Sequence, residues 1–270
     1  MLLRIPIFSE YPMSQLLARA TKALCYLALL VAAHAAQAER LPRILVFGDS
    51  NSWGWIASPQ GFPAQRLNDA ARWPGVLGAA LAGQATVLVD GLSGRTVDAD
   101  YPEALVGLPG ALFNANRSLP AALARETPLD LLIVMLGTND LRADLGRTPD
   151  AIAHGLRTLV EQTRSFGHGV ATPYAPPTVL VVIPPPLGDV SRTPLRDFFA
   201  DMAAKSHALA PAVQRALAGT PVFDATEATG PLAGIDGVHL SAAQHAMLGQ
   251  ALAPVVRRAL GLPTPTETPQ

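Results

Sequence analysis

The chain of 270 residues contains a single cysteine, Cys25, which lies in the N-terminal segment. The rest of the chain has no thiol, which excludes both disulfide bonds and thiol catalysis there. Aromatic residues make up only 6% of the sequence, so a core has to be built mainly from Ala, Leu and Val. Charge is also scarce, at 15% charged residues and a net charge of -1. Nucleic-acid binding depends on a field of basic residues, so we expect no nucleic-acid partner.

The first 38 residues predict a secretory signal peptide. Arg19 and Lys22 precede an apolar run over residues 23–33, and Ala36-Gln37-Ala38 supplies the small residues expected before a cleavage site after Ala38. The run is shorter than the roughly 20 apolar residues that a bilayer span requires, although a retained membrane anchor is the alternative. We therefore expect an exported protein, periplasmic or secreted, without a stable membrane anchor.

Residues 39–260 predict one α/β domain. Apolar runs without polar alternation are typical of strands buried on both faces of a parallel sheet, and helical patterns lie between them. The runs are RILVF (43–47), TVLVD (86–90), LLIVML (131–136), VLVVI (179–183) and PVFDA (221–225). This alternation predicts a three-layer α/β/α fold around a central five-stranded parallel sheet, with residues 98–120 as the longest connection. The Pro/Thr-rich tail, residues 261–270, is expected to be disordered.

Polar clusters follow four of these runs. Gly48-Asp49-Ser50 follows the first, GLSGRT (91–96) the second, GTND (137–140) the third, and DGVHLS (236–241) comes shortly after the fifth. Ligands of open parallel sheets bind beyond the carboxyl ends of the strands, so we expect these clusters to converge at one edge.

The clusters contain the groups needed for nucleophilic catalysis by serine. The Ser50 hydroxyl needs a base, and His239 has a carboxylate, Asp236, three residues before it. That spacing lets the carboxylate orient the imidazole and stabilise its protonated form. The oxyanion candidates are the backbone N–H groups of Ser50 and Gly94 and the side-chain amide of Asn139.

Together, the strings FGDSNSWGW, GLSGRT, MLGTND, VLVVIPPPL and DGVHL resemble the SGNH (GDSL-like) hydrolases, in particular their arylesterase and acyltransferase branch. The resemblance extends over about residues 43–260. It implies a flavodoxin-like fold, a Ser50 nucleophile, a His239 base, an Asp236 partner and oxyanion donors at Ser50, Gly94 and Asn139. It implies no organic cofactor and no metal. Relatives often carry an aliphatic residue after the serine, where this chain has Asn51.

The resemblance predicts a serine esterase that acts on small acyl or aryl esters, with water or an alcohol as acceptor. Trp53, Trp55 and Asn51 are expected to line the substrate pocket. A carbohydrate O-deacetylase of the same fold is the alternative, suggested by export and by the long 98–120 connection. That connection also resembles segments that relatives use for subunit contacts, which allows a homo-oligomer.

Several of these residues also have a purely structural interpretation. Ser50 could cap the helix that follows it, Asn139 could cap another, and both tryptophans could be packing residues. Arg95 could anchor its loop or contact a partner subunit. A non-catalytic module would be expected to lack part of the triad, and a flavodoxin-like nucleotide binder would need a Gly-rich phosphate loop that GDSNSWG lacks.

Overall fold

A computed structural model describes residues 40–102, 107–166, 172 and 174–263, together with residues 19, 21, 22 and 24. The chain divides into two units, residues 1–41 and 42–270. In the first unit, residues 19, 21, 22 and 24 are helical. Apart from these four residues, the predicted signal peptide lies outside the described residues, as do residues 264–270 of the predicted tail.

The second unit is built on a five-stranded parallel sheet with the order β4-β1-β5-β6-β7, and a separate two-stranded antiparallel ribbon pairs β2 with β3. The strands are β1 Arg43–Gly48, β2 Trp55–Ile56, β3 Gln65–Arg66, β4 Thr86–Gly91, β5 Leu131–Met135, β6 Thr178–Ile183 and β7 Val222–Asp224. The five predicted runs thus form the sheet within one or two residues at each end, which confirms the predicted fold class.

Helices flank the sheet. They are α1 Ser50–Trp53, α2 Trp73–Ala80, α3 Ala115–Glu126, α4 Pro149–Ser165, α5 Arg196–Phe199, α6 Ala203–Ala216, α7 Thr226–Thr229 and α8 Ala242–Leu260, with 3-10 turns at Gly110–Phe113, Asn139–Leu141 and Ala143–Leu145. Helix α2 packs against α8, and α4 packs against both α3 and α6. Each of the longer helices turns an aliphatic stripe inward, so Leu, Val, Ile and Ala dominate the core, as the low aromatic content predicts.

The strand order creates a crevice beside β1, because the chain adds β4 on one side of β1 and then crosses over to add β5 on the other side. Strand β1 pairs with β4 on one side and with β5 on the other, so their carboxyl ends lie side by side. Such a switch point leaves a gap between loops that turn to opposite faces of the sheet, and ligands of this architecture bind there. The residues that follow β1, β4 and β5 therefore border one crevice.

One expectation about the 98–120 connection is wrong. A helix, Ala115–Glu126, begins inside this segment and contains Pro120, so the connection ends before residue 115. Proline cannot donate the hydrogen bond that the Asn116 carbonyl would otherwise receive. The Gln162 side chain donates to that carbonyl at 3.3 Å instead, while Leu119 and Leu123 face the core and stabilise the helix by burial.

Candidate active site

Ser50 lies at the carboxyl end of β1, as the first residue of the short helix α1. Asp49 caps this helix by accepting a hydrogen bond from the Asn51 N–H at 2.9 Å, and Gly54 ends it in the left-handed region, with φ of 99°. The Ser50 side chain is only slightly exposed but borders a pocket. The turn from strand to helix therefore presents the hydroxyl at the crevice.

His239 and Asp236 reach Ser50 from the loop between α7 and α8. The Nε2 atom of His239 lies 2.9 Å from the Ser50 Oγ, and its Nδ1 atom lies 2.7 Å from Oδ2 of Asp236. The other Asp236 oxygen, Oδ1, accepts the backbone N–H groups of Val238 and His239, both at 3.0 Å. The structure thus brings together the three residues that the sequence singles out as a hydrogen-bonded relay.

The charge on Asp236 is stabilised although the residue is buried. Burial raises the pKa of this carboxyl, but the hydrogen bond and charge of His239 and the two backbone N–H donors outweigh that effect. The resulting pKa lies below the usual value for aspartate, so the carboxylate stays ionised and fixes a proton on His239 Nδ1. The free Nε2 lone pair then faces the Ser50 hydroxyl, which is the arrangement a general base requires.

The three predicted oxyanion donors lie on neighbouring loops. Ser50 and Gly94 both border the pocket, and among the described residues neither backbone N–H has an acceptor. Gly94 has φ of 86°, a conformation that favours glycine, and its carbonyl accepts the Tyr101 hydroxyl at 2.7 Å. Asn139 Nδ2 donates to the Arg95 carbonyl at 3.1 Å and more weakly to Asp49 Oδ2 at 3.4 Å. An oxyanion in the pocket would compete for the longer of these two contacts.

The two tryptophans have different positions. Trp55 lies in the pocket wall, and its indole stacks on the imidazole of His239 with ring centroids 4.8 Å apart. Phe62 meets Trp55 edge to face, with ring centroids at 5.6 Å. Trp53 does not belong to the pocket lining; the Arg66 guanidinium lies over its ring at 5.3 Å. Trp53 is therefore a packing residue, contrary to the expectation for it.

Asn51 also lies elsewhere than expected. Its side chain is buried behind the site, where it bonds the backbone of Val238 and Leu240, and it does not line the pocket. The sequence placed it near the substrate because it adjoins Ser50. Consecutive residues of a helix point in different directions, however, and the turn of α1 that exposes Ser50 carries Asn51 inward.

The pocket itself has a cavity volume of about 330 Å³. Much of its wall consists of residues that sequence reasoning did not assign to the pocket, and of these Ser93 and Val238 belong to the polar clusters while the others carry no motif. The unassigned residues are Phe62, Ala64, Ser93, Tyr101, Phe113, Arg142, Leu195, Phe198, Phe199 and Val238. The pair Phe198-Phe199 in a chain with few aromatics was the available signal. It lies shortly after β6, on the side where ligands bind.

Arg142 is the charged residue of this wall that lies outside the relay. Its guanidinium lies over the rings of Tyr101 and Phe198, at 4.8 and 4.2 Å from their centroids. Asp144 accepts from its Nε at 2.9 Å and its Nη2 at 2.7 Å. The carboxylate of Asp144 balances the positive charge of this guanidinium, and the two rings cover it. The pocket as a whole is therefore apolar.

Arg95 holds together the strand ends beneath the site. Its Nη1 donates to the carbonyls of Gly48 and Asp90 at 2.8 and 2.6 Å, and its Nη2 to Oδ1 of Asp90 at 2.7 Å. The guanidinium also lies 4.0 Å from the centroid of Phe47. Of the two structural interpretations of Arg95, these contacts support the one in which it anchors its own loop.

Two further carboxyls are buried near the site without belonging to the relay. Burial raises the pKa of Asp49 to about 6, against the opposing effects of the Asn51 N–H and the charges of His239 and Arg95. Burial likewise raises the pKa of Asp140 to about 7, although the Val97 N–H donates to its carboxylate. Asp49 accepts the Asn51 N–H, and Asp140 accepts the Val97 N–H. These hydrogen bonds hold the backbone next to the site in place.

Within the described part of the chain, no group of three or more His, Cys, Asp or Glu side chains is arranged to hold a metal ion. In the same residues, no helix has both the length and the apolar character needed to cross a membrane.

Comparison with known proteins gives a consistent result. Residues 46–247 match the model of the GDSL-like lipase/acylhydrolase family. The structure is similar to that of the aryl esterase of M. smegmatis, with 40% identity and a TM-score of 0.75 over 81% of this chain and 100% of that one. It is also similar to Est24, a carbohydrate acetylesterase from Sinorhizobium meliloti, with 38% identity and a TM-score of 0.74 over 80% and 99%. No curated protein matches the chain significantly.

Proposed function

The chain belongs to the GDSL-like lipase/acylhydrolase family and is a serine esterase, and on that premise we propose that Ser50 is its nucleophile, His239 its general base and Asp236 the partner that orients His239. The observation that carries this proposal is the continuous relay from Ser50 Oγ to His239 Nε2 at 2.9 Å and from His239 Nδ1 to Asp236 at 2.7 Å. The first separation allows Ser50 to pass its proton to His239 without rearrangement, and the second holds the imidazole in the tautomer that accepts that proton.

In the first half-reaction, the Ser50 oxygen attacks the ester carbonyl while His239 Nε2 takes its proton. The carbonyl oxygen becomes an anion, and the N–H groups of Ser50 and Gly94 and the Asn139 amide are positioned to donate to it. When the tetrahedral intermediate collapses, His239 returns the proton to the leaving alcohol or phenol, and the acyl group remains on Ser50. Each oxyanion donor contributes about 3–4 kcal/mol to such a step.

In the second half-reaction, an acceptor attacks the acyl-enzyme while His239 takes the acceptor's proton, and His239 then returns that proton to the Ser50 oxygen as the bond between Ser50 and the acyl group breaks. Water gives the free acid, whereas an alcohol gives a new ester, and the same relay serves both. The wall of Trp55, Phe62 and Phe113 offers few polar partners to water. This supports a proposal that alcohols compete with water for the acyl group.

The pocket supports a small acyl or aryl ester as substrate. Its volume of about 330 Å³ is at the lower end of small-molecule sites. Its aromatic and aliphatic wall favours an apolar ring or short chain, and the Arg142 charge is balanced by Asp144.

Carbohydrate O-deacetylation is the second candidate function. It is supported by the similarity to Est24, a carbohydrate acetylesterase, at 38% identity. An acetyl group fits the same pocket, and the sugar would then lie at its mouth. A higher kcat/KM for an acetylated oligosaccharide than for phenyl acetate would favour this candidate.

The proposal is tested by the turnover of p-nitrophenyl acetate before and after Ser50→Ala. Loss of the nucleophile is expected to lower kcat/KM by about 10⁴-fold or more. An unchanged rate would refute the assignment. Ser52→Ala, in the same short helix, is the matched control and should retain the activity.

Location and assembly belong to the same proposal. We propose that the protein is exported after cleavage following Ala38 and that it assembles as a homo-oligomer through the 98–120 segment. The N-terminal sequence of the protein recovered from the periplasm or medium tests the first point. The mass of the purified protein in solution tests the second.

A further inference from the structure

The relay joins two parts of the chain that are 189 residues apart in sequence. Other contacts therefore have to keep these two segments at a fixed distance from each other. Ser50 belongs to helix α1, whereas His239 and Asp236 belong to the loop before α8. We infer that Asn51 is the positioning residue that fastens this loop to α1 and so keeps His239 within reach of Ser50. The inference rests on the proposed roles of Ser50 and His239.

The contacts of Asn51 fall on both sides of His239. Its Oδ1 accepts the backbone N–H of Leu240 at 2.8 Å, and its Nδ2 donates to the carbonyl of Val238 at 3.3 Å. Asn51 is 1% exposed, so neither bond is exchanged readily with water. One side-chain amide therefore forms hydrogen bonds with the two peptide groups on either side of His239.

Asn51 is itself fixed on the nucleophile side. Its backbone N–H donates to the Asp49 cap at 2.9 Å, and it follows Ser50 directly in α1. A shift of the His239 loop would therefore have to break the side-chain bonds of Asn51 or move α1 with it.

The other polar contacts of the loop do not serve this purpose. Asp236 accepts the N–H groups of Val238 and His239, which organises the loop internally. The Gly188 N–H donates to the Gly237 carbonyl at 2.8 Å and ties the loop to the segment after β6, whereas the Gly234 N–H donates to the His239 carbonyl at 2.9 Å within the loop, so neither bond reaches α1. Among the residues that the structure describes, the side-chain hydrogen bonds between this loop and α1, apart from that of the relay, are made by Asn51.

The chemistry of the amide suits this position. Leu240 presents a donor and Val238 an acceptor, so the bridging side chain has to accept at one end and donate at the other. Leucine at this position would satisfy neither group, and an aspartate carboxylate would satisfy Leu240 but face the Val238 carbonyl with a second acceptor. A buried backbone group without a partner is costly, so the loop would shift to find one.

The test compares Asn51→Leu with the wild-type enzyme and with Ser52→Ala, which removes a buried hydroxyl from the same helix. For p-nitrophenyl acetate, Asn51→Leu is expected to lower kcat about 10- to 100-fold with KM within about threefold, because misplacement of a base by an ångström slows the chemical step. The rate of Ser50 labelling by a fluorophosphonate should fall in parallel. The low-field proton resonance of the His239–Asp236 hydrogen bond should persist, since that pair lies within one loop.

A wild-type kcat for Asn51→Leu would overturn the inference. So would an equal loss in Ser52→Ala, or disappearance of the low-field resonance, since either would mean general damage to the fold. If Asn51→Leu does not fold, Asn51→Asp keeps the shape and the Leu240 contact but loses the donor to Val238. It is expected to lose at least about tenfold in kcat. Ser50→Ala separates the two proposals, because activity that survives that change refutes the nucleophile itself rather than its positioning.

Discussion

The indole of Trp55 lies almost parallel to the imidazole of His239, with ring centroids 4.8 Å apart and an interplanar angle of 11°. This stack covers one face of the proposed base and leaves its two nitrogens free for Ser50 and Asp236. An aromatic face also stabilises the positive charge that His239 acquires while it holds the serine proton. Trp55 thus contributes both to the shape of the pocket and to the base.

Replacement of Trp55 tests this double role. Trp55→Ala is expected to lower kcat/KM for phenyl acetate by about 3- to 10-fold, the value of one stacked pair, and Trp55→Phe by less. Trp55→Ala should also admit water and lower the ratio of ester to acid formed when an alcohol is added. Product analysis with and without the alcohol measures that ratio. The idea fails if the alanine variant keeps both the rate and the ratio.

Asp236→Asn tests the orienting role of the carboxylate. The amide oxygen can still accept the N–H groups of Val238 and His239, but the other end of the amide donates a proton toward His239 Nδ1. The imidazole then takes the wrong tautomer, and kcat is expected to fall by about 10⁴-fold while the fold is retained. Steady-state kinetics and thermal unfolding of the same sample check both statements. A decrease in kcat of less than about tenfold would show that Asp236 does not orient His239.

Arg95→Met tests the anchor beneath the site. The change removes three hydrogen bonds to Gly48 and Asp90 and a largely buried guanidinium, so the free energy of unfolding should fall by about 3 kcal/mol. Arg117→Met is the matched control, because Arg117 pairs with Asp100 at the surface, with a side chain that is 63% exposed. That change should cost less than about 1 kcal/mol. Urea denaturation of both variants provides the comparison, and equal losses would contradict the anchoring role.

The buried Asp49 predicts a pH-dependent difference in stability. Its pKa is raised to about 6 in the folded protein from 3.8, so the folded state binds the proton more tightly. Its contribution to stability is fully present below pH 3.8 and is lost as the pH rises through about 6. Asp49→Asn keeps an acceptor for the Asn51 N–H but has no such loss. Between pH 4 and 7 the stability of Asp49→Asn relative to wild type should therefore rise by on the order of 2–3 kcal/mol.

Chemical denaturation at several pH values measures this difference. Burial also lowers the pKa of His245 to about 4, which makes the folded state less stable as the pH falls from 6.5 through that value. This contribution is common to both proteins and cancels in the comparison. A difference that does not change with pH would show that Asp49 titrates normally.

The sheet and the residues of the relay could be predicted from the sequence, because both depend on local patterns. Uninterrupted apolar runs identify buried parallel strands, and the architecture brings the ends of those strands together. Ser50, Gly94 and Asn139 were therefore expected near one another before any coordinates were known. Asp236 and His239 were linked by their spacing alone.

The remaining features depend on contacts between distant segments. Asn51 adjoins the nucleophile, but its direction is decided by the backbone of Val238 and Leu240, far along the chain. The helix Ala115–Glu126 begins inside the predicted connection and contains Pro120, and it is supported by the burial of Leu119 and Leu123 and by the hydrogen bond from Gln162. Neither tertiary partner can be read from the residues around Asn51 or Pro120.

The pocket wall and the reacting groups come from different segments. Leu195, Phe198 and Phe199 lie on or next to a short helical turn that follows β6, where they pack against the core and line the pocket, and none of them contributes to the relay. Exchange of this turn for another of the same length would alter which acyl or aryl groups fit while the bond-breaking apparatus stayed as it is. Selectivity and reactivity in this esterase are consequently separable traits, and a library confined to residues 195–199 is the economical route to new ester preferences.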